Sequence, residues 1–381
     1  MHGIQTRQRH RVFTLSLNPD EFALLLPHPG PIWRLCPPAR FVTFECDPYP
    51  RRNFLQLGAS GLVATAVSIP KPARPVPAPD GLRRYPYVQL DAFTTQRLKG
   101  NQLVVFTDAR ELSDTEMQEI ARETQMSETT FVFPRDAATE RDHGIKVRIF
   151  TEDQELPFAG HPTLGTAFAL RNRMKSSEVG QIFLDLKVGK VPVNFSMRDG
   201  GVFGEMTQVD PQVDPQFGST HDRATVAEVI GVPPSEISDE WPIQTVSTGI
   251  PFAIVPLKRL STLQSLHPNA EKVRAYFANW KGPIDFYYIT RDTGDPKVTI
   301  RARGLFSEGE DAATGSASGC AIAWMMRYAV VPPDQLVHNL QGVEMKRPSH
   351  IYMRASKEGD KVTKVRVGGH AVEIMEGTLS L

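Results

Sequence analysis

Residues 160–167 read GHPTLGTA and residues 314–321 read TGSASGCA, so a Gly-x-Ala triplet closes both stretches. Each stretch follows an acidic loop and opens an apolar, Ala-rich segment, which is typical of a buried helix. Glycine permits close approach of the backbone, and proline is favoured in the first helical turn. The two stretches therefore predict an internal repeat, in which two halves each surround a central helix.

Two such helices can aim their N-termini at one cleft. The first N–H groups of a helix have no partner within it, and the helix dipole places positive charge at the same end. A small anion would then be held from two sides. This arrangement predicts a binding site for an anion.

The rest of the chain beyond residue 86 indicates a mixed α/β (α+β) fold. Residues 113–116 read SDTE, a capping box that predicts a helix from about 114 to 125. Residues 243–256 are predicted as one strand, and a second Ala/Gly-rich helix is expected from about 314 to 328. A polar segment at 209–224 suggests a domain boundary. We predict one half from residues 86–207 plus 371–381, and the other from residues 208–370.

Residues 1–80 differ in composition from the remainder. They carry nine Lys and Arg against five Asp and Glu, and 13 of the 31 prolines, which disrupt both helices and sheets. We predict a mostly disordered leader. Residues 50–57 read PRRNFLQL before a short apolar run, which resembles a twin-arginine signal over 50–78 and predicts export to the periplasm. The alternative is a linker with a chance arginine pair in a cytoplasmic protein.

Composition excludes several classes of protein. The 43 Lys and Arg balance the 43 Asp and Glu, which argues against a bulk nucleic-acid binder. No run of 18 apolar residues occurs, so no membrane span is expected. Three cysteines cannot build a disulfide framework. Neither a dinucleotide fingerprint nor a phosphate-binding Walker loop is present, and the histidines lack metal-ligand spacing, so no metal site is predicted.

Two loops carry the candidate reacting groups. His161 lies just before the first turn of the first helix, and Glu310 and Asp311 precede the second. Taken alone, each has a simpler explanation. His161 can be a helix cap, and the two acids can be ordinary N-terminal caps.

Further segments resemble the PhzF family of phenazine-biosynthesis isomerases. The chain reads DAFT at 91–94, GNQL at 100–103, SETTF at 127–131, FAGHPTLG at 158–165, EDAATGSA at 310–317, QG at 341–342, RPS at 347–349 and VRVGG at 365–369. The resemblance spans about residues 87–378. Ala312 replaces the usual proline of this family, and Lys346 the usual glycine.

The resemblance implies the diaminopimelate-epimerase fold, with a curled sheet around a central helix in each half and the active site between the halves. It also implies site residues. Glu128 would be the general acid/base, with His161 and Asp311 as further catalytic residues. Substrate-binding positions would be Gly160, Thr314, Gly315 and Ser316.

The expected chemistry is proton transfer within a small carboxylic acid. A group that takes a proton from one carbon and returns it to another works best with a pKa near neutrality, which burial and neighbouring carboxylates can provide. Asp311 would supply such a neighbour for Glu128. His161 could donate a hydrogen bond or relay a proton. This chemistry needs no cofactor.

Two alternatives remain at this point. Two-thiol racemisation requires paired cysteines, and Cys320 is the only cysteine beyond residue 80. A non-catalytic protein that binds a small carboxylate would keep the same fold and glycines. The sequence allows a homodimer without indicating one.

Overall fold

The computed structural model describes residues 81–174, 180–212, 220–280, 284–306 and 309–381. The predicted leader and its twin-arginine signal lie outside these residues. Within them, the helices are α1 (Asp114–Thr124), α2 (Ala137–His143), α3 (Gly160–Arg173), α4 (Arg223–Ile230), α5 (Leu260–Gln264), α6 (Ala270–Phe277) and α7 (Gly315–Arg327). None of the helices in this part of the chain has the length and apolar character needed to cross a membrane.

The strands lie before, between and after these helices. They are β1 (Arg84–Ala92), β2 (Asn101–Phe106), β3 (Thr129–Phe133), β4 (Ile145–Phe150), β5 (Glu155–Leu156), β6 (Gln181–Leu186), β7 (Gly189–Arg198), β8 (Gly201–Thr207), β9 (Thr220–His221), β10 (Ile243–Ser247), β11 (Pro251–Leu257), β12 (Asp285–Thr290), β13 (Ile300–Phe306), β14 (Gly309–Asp311), β15 (Val337–Gln341), β16 (Ser349–Glu358), β17 (Lys361–Gly369) and β18 (Ala371–Ser380).

Local signals in the sequence decide several of these boundaries. Helix α1 begins at the predicted capping box, where the Glu116 carboxylate accepts a hydrogen bond from the Ser113 backbone N–H at 2.8 Å. The strand predicted over 243–256 is wrong as a single element. It is divided into β10 and β11 because Gly249 turns the chain with φ +129°.

The strands pair in the same order twice. In the first set β1–β2, β3–β4, β4–β5, β6–β7 and β7–β8 are antiparallel, whereas β2–β3 and β4–β6 are parallel. In the second set β10–β11, β12–β13, β13–β14, β15–β16 and β16–β17 are antiparallel, whereas β11–β12 and β13–β15 are parallel. The predicted repeat and the mixed α/β class are thus confirmed.

Each set of strands surrounds one apolar helix. Helix α3 packs against β1, β2, β3, β6 and β8, and α7 packs against β10, β11, β16 and β17. All residues of α7 from Gly315 to Met326 are buried, as are those of α3 from Gly160 to Ala169. A helix that is apolar on all sides is stable only when it is enclosed in this way.

Two strand pairs connect the sets. Strand β8 pairs antiparallel with β17, and the C-terminal strand β18 returns to pair antiparallel with β1. The predicted division of the chain at residues 207 and 371 stays a prediction. The strand pairing shows that α3 and α7 occupy equivalent places in the repeat.

A buried histidine makes the stability of this fold depend on pH. His221 is hydrogen-bonded to the hydroxyls of Tyr276 and Thr245, each at 2.8 Å, and its ring stacks on Trp280. Burial lowers the pKa of His221 to about 4 from an ordinary value of 6.5. The unfolded chain therefore takes up a proton below pH 6.5, whereas the folded chain resists it until about pH 4.

We expect the contribution of neutral His221 to be complete above pH 6.5 and to fall by about 3 kcal/mol as the pH drops to 4. Urea unfolding of the wild type and of His221→Gln measures this contribution to the free energy of unfolding. The difference in free energy of unfolding between the two proteins should shift by that amount, in favour of the variant, between pH 7 and pH 4. A difference that does not change with pH contradicts the prediction.

Candidate active site

Helices α3 and α7 meet at their N-termini. Neither N-cap residue, Ala159 or Thr314, caps its helix with a side-chain hydrogen bond. A Cβ atom on Gly160 would lie 2.6 Å from both the Cα atom of Gly315 and the backbone nitrogen of Ser316, so the two backbones are in direct contact. Two sets of first-turn N–H groups and two positive dipole ends face one small region, which favours an anion there.

Glu128 and His161 form a buried pair beside this region. Glu128 directly precedes β3, and His161 is the second residue of α3. Glu128 Oε2 lies 3.4 Å from His161 Nε2. Both atoms are buried, and neither has a hydrogen-bond partner among the described residues. Because buried polar atoms are nearly always paired, these two atoms mark a place for polar groups of a ligand.

Asp311, at the end of β14, is held by one donor on each oxygen. Its Oδ1 accepts a hydrogen bond from Asn101 Nδ2 at 2.7 Å, and its Oδ2 accepts one from Thr314 Oγ1, also at 2.7 Å. The donors come from β2 and from the loop before α7. Asp311 is therefore fixed as a negative charge near the Glu128–His161 pair.

This environment alters the protonation of both members of the pair. Burial, and then the charge of Asp311, raise the pKa of Glu128 to about 8. Burial lowers the pKa of His161 to about 4, although the charge of Asp311 and the Gln102 backbone act in the opposite direction. At neutral pH His161 is neutral, and Glu128 can change its protonation state easily. A carboxyl group of this kind suits general acid/base catalysis.

The seven predicted site residues lie along one connected set of contacts. Glu128 faces His161, and Asn101 bridges His161 and Asp311. Thr314 donates a hydrogen bond to Asp311 and directly precedes Gly315 and Ser316. Gly160 lies against Gly315. The structure brings all seven together, while the catalytic and binding roles assigned to them stay predictions.

Sequence reasoning missed two amide side chains. Asn101 links the two parts of the site, and Gln341 supports the loop before α7. Gln341 Nε2 donates to the backbone oxygen of Asp311 at 2.8 Å, and Gln341 Oε1 accepts from the Thr314 backbone N–H at 3.1 Å. Both residues stand in the quoted segments at 100–103 and 341–342. Amides do not titrate, so a search for acids, bases and nucleophiles passes over them.

Cys320 has none of the properties of a catalytic thiol. It is fully buried within α7, and its Sγ donates to the backbone oxygen of Ile250 at 3.3 Å. Burial raises the pKa of the Cys320 thiol to about 11, so the thiolate is scarce at neutral pH. Across the described ranges, no three His, Cys, Asp or Glu side chains are grouped so as to hold a metal ion.

Similarity to known proteins covers the segments that form this site. Residues 90–377 match the model of the PhzC-PhzF family, described as phenazine biosynthesis-like protein. A trans-2,3-dihydro-3-hydroxyanthranilate isomerase of Pseudomonas aeruginosa is 34% identical over 291 residues, which is 76% of this chain and 98% of that protein. An uncharacterized isomerase of Mesorhizobium japonicum is 33% identical over 302 residues, 77% of this chain and 98% of that protein.

A solved structure agrees with these sequence matches. A PhzF-family phenazine biosynthesis protein of Bacillus anthracis superposes with a TM-score of 0.68 at 28% identity. The superposition covers 78% of this chain and 99% of the other. The match therefore extends over the whole repeat described above.

Proposed function

The chain belongs to the phenazine biosynthesis-like family PhzC-PhzF and is an isomerase, and from this premise we propose that it moves a proton between two carbons of a small carboxylic acid through Glu128, without a cofactor. The observation that carries this proposal is the buried pair of Glu128 and His161, whose facing atoms have no partner among the described residues. The pair lies beside the joined N-termini of α3 and α7.

Each part of the site has a chemical task. The helix N-termini hold the substrate carboxylate and stabilise the enolate-like negative charge that forms when a neighbouring carbon loses its proton. Glu128, as the carboxylate, takes that proton from one carbon and, as the acid, returns it to another. The raised pKa makes both steps accessible near neutral pH. His161 supplies a neutral hydrogen-bond donor to an oxygen or nitrogen of the substrate.

The substrate class follows from what the chemistry requires. A proton can leave carbon readily only if the charge spreads into a carbonyl or a conjugated system. We therefore propose a small carboxylic acid that is cyclic or unsaturated. The P. aeruginosa relative is named for an acid of this class, a dihydro-hydroxyanthranilate.

Deuterium exchange tests the proposal without knowledge of the product. The full chain is incubated with unsaturated and cyclic carboxylic acids in deuterated water, and incorporation of deuterium at carbon is measured by mass spectrometry and NMR. Incorporation into at least one acid, absent with heat-denatured protein, supports an isomerase that works through proton transfer. Saturable binding of an acid with no incorporation supports the alternative, a carboxylate-binding protein on the same fold.

The pH dependence of exchange is a further prediction. Since Glu128 reacts as the carboxylate, the exchange rate should rise with pH and level off above about 8. Asp311→Asn keeps the shape and removes the charge that helps to raise the pKa of Glu128, so the midpoint should move to lower pH. The midpoint should stay above the ordinary pKa of glutamate, because burial raises the pKa of Glu128 more than the charge of Asp311 does.

The ¹³C chemical shift of the Glu128 carboxyl group reports the same titration in the absence of substrate. Asp108→Asn is the matched control, because Asp108 pairs with Arg110 on the surface. A midpoint that Asp311→Asn leaves unchanged or raises is incompatible with the electrostatic role of Asp311.

A further inference from the structure

Asn101 stands where the parts of the site meet. It is the first residue of β2, and its side chain is buried. Its Nδ2 lies 2.7 Å from Asp311 Oδ1, 3.1 Å from His161 Nδ1 and 3.1 Å from the backbone oxygen of Ala313. The carboxylate sets the orientation of the amide, because the amide oxygen in this position would face a carboxylate oxygen. The NH₂ group therefore faces all three atoms; it has two hydrogens to share among them, and its nitrogen cannot accept a hydrogen bond from an N–H group on Nδ1.

This contact favours one of the two neutral tautomers of His161. A donor 3.1 Å from Nδ1 requires a lone pair on that atom. A neutral imidazole has one N–H group, so its proton must then be on Nε2, the atom that faces Glu128 Oε2 at 3.4 Å. In this tautomer His161 has no free lone pair, so it can donate a hydrogen bond but cannot remove a proton from carbon.

We propose that Asn101 is a positioning residue that holds His161 as the Nε2–H tautomer, which makes His161 a hydrogen-bond donor and leaves Glu128 as the only base of the pair. The inference deepens the proposed function and rests on it for the reaction that the pair serves. A neutral imidazole held as a donor can polarise a substrate oxygen without adding charge to the site. The shared Asn101 contact also fixes the distance between His161 and Asp311.

The backbone next to Asn101 is itself anchored. The oxygen of Gly100 accepts a hydrogen bond from Arg347 Nε at 2.8 Å, and the Gly100 N–H donates to the backbone oxygen of Pro348 at 3.2 Å. Arg347 Nη2 also donates to Asp91 Oδ1 at 2.7 Å, and Asp91 is fully buried. These bonds join the β1–β2 connection to the segment before β16. They hold the Asn101 amide in one place, as a positioning residue requires.

One competing arrangement is specific enough to be tested. The Gln102 backbone also interacts with the imidazole of His161. A proton on Nδ1 could be donated there, and the Asn101 amide would then face an N–H group at 3.1 Å. The two arrangements differ in the protonated nitrogen, which can be measured directly.

Long-range ¹H–¹⁵N NMR of the full chain with labelled histidine identifies the tautomer at pH 7. The His161 signals are assigned by their loss in His161→Gln. We expect a protonated Nε2 and an unprotonated Nδ1 in the wild type. In Asn101→Asp the side chain keeps its shape, and the new carboxyl oxygen shares one proton with Asp311 Oδ1, 2.7 Å away. That oxygen keeps a lone pair toward Nδ1, so the proton of His161 should move to Nδ1. Asn101→Ala should give a mixture of tautomers.

Activity provides a second measurement. Both Asn101 variants should lower kcat for the exchanged acid with little change in KM, because Asn101 acts through His161 and does not contact the substrate. The loss should lie between about 10-fold and 10⁴-fold, the upper value being that of a catalytic histidine in the wrong tautomer. Asn172→Ala is the control, since Asn172 lies near the C-terminal end of α3 and bonds to Glu373 at the surface.

The tautomer measurement needs no substrate, so it separates this inference from the proposed function. A wild-type His161 protonated on Nδ1 overturns the inference, even if the acid is isomerised. A tautomer that stays on Nε2 in both Asn101 variants overturns it as well. If Asn101→Ala does not fold, Asn101→Asp, which preserves the shape, gives the same decision. Absence of deuterium exchange in the wild type would contradict the proposed function and leave the tautomer result standing.

Discussion

Glu128→Gln is expected to lower the rate of proton transfer by about 10²- to 10⁴-fold while the protein stays folded. Glutamine keeps the shape of the side chain but cannot take a proton from carbon. The rate of deuterium exchange, measured on any acid that the wild type labels, gives the effect. The matched control is Glu123→Gln, an exposed position in α1, which should exchange at the wild-type rate.

The same substitution should raise stability, and the sign follows from the pKa of Glu128. The group binds its proton up to about pH 8 in the folded protein, but only up to its ordinary value of 4.5 in the unfolded chain. Above pH 4.5 the unfolded chain releases this proton while the folded chain keeps it, so the free energy of unfolding of the wild type decreases until about pH 8. At pH 7 this cost is on the order of 3 kcal/mol, and the uncharged amide of the Glu128→Gln variant does not carry it.

Urea unfolding of both proteins at pH 4.5 and pH 7 measures this difference. The advantage of Glu128→Gln should grow with pH, whereas Glu123→Gln should show no such trend. Exchange that continues at the wild-type rate in Glu128→Gln would end the proposed mechanism. Loss of exchange without the gain in stability would mean that Glu128 is not held in its protonated form.

Sequence alone predicts those features that local rules decide. The Ser113 capping box fixes the start of α1, and the small and apolar residues that dominate 315–326 predict a buried helix. Two matching glycine-rich helix starts were enough to predict the repeat. The break between β10 and β11 was missed although residues 247–251 read STGIP, which contains residue types that favour turns, and the φ of Gly249 shows where the chain turns.

The titratable residues of the site could also be predicted from the sequence. Glu128, His161 and Asp311 are the residue types that acid/base chemistry uses, and shared family segments point to them. Asn101 and Gln341 were not assigned a role, because their importance depends on distant partners. The hydrogen-bond partners of Asn101 lie 60 and 210 positions away in sequence, and the partners of Gln341 lie 27 and 30 positions away. Such contacts are set by the packing of the two sets of strands around their helices, and residue type or spacing does not reveal them.

Gly160→Ala is expected to damage both the fold and the reaction. The added Cβ would lie 2.6 Å from the Cα of Gly315 and from the nitrogen of Ser316, and neither backbone atom can turn aside as a flexible side chain can. Alanine improves helix propensity by at most about 1 kcal/mol. Overpacking of this kind costs about 1–3 kcal/mol, so the clash should prevail and lower the free energy of unfolding.

The effect on the reaction should be larger than the effect on stability. Relief of the clash requires the N-termini of α3 and α7 to separate, which moves His161 relative to Asp311 and weakens the shared hold on a substrate carboxylate. A displacement of about 1 Å can cost roughly 10²-fold in rate. The rate of deuterium exchange and the free energy of unfolding are therefore measured together.

Two other glycines make the comparison quantitative. A Cβ on Gly315 would lie 3.1 Å from the Cα of Gly160, a milder contact, and a Cβ on Gly180 would have nothing within 4 Å. The loss of exchange should therefore decrease in the order Gly160→Ala, Gly315→Ala, Gly180→Ala, the last matching the wild type. Wild-type exchange in Gly160→Ala would show that close contact between the two helix N-termini is not needed for the reaction. The substrate anion would then have to be held by other groups.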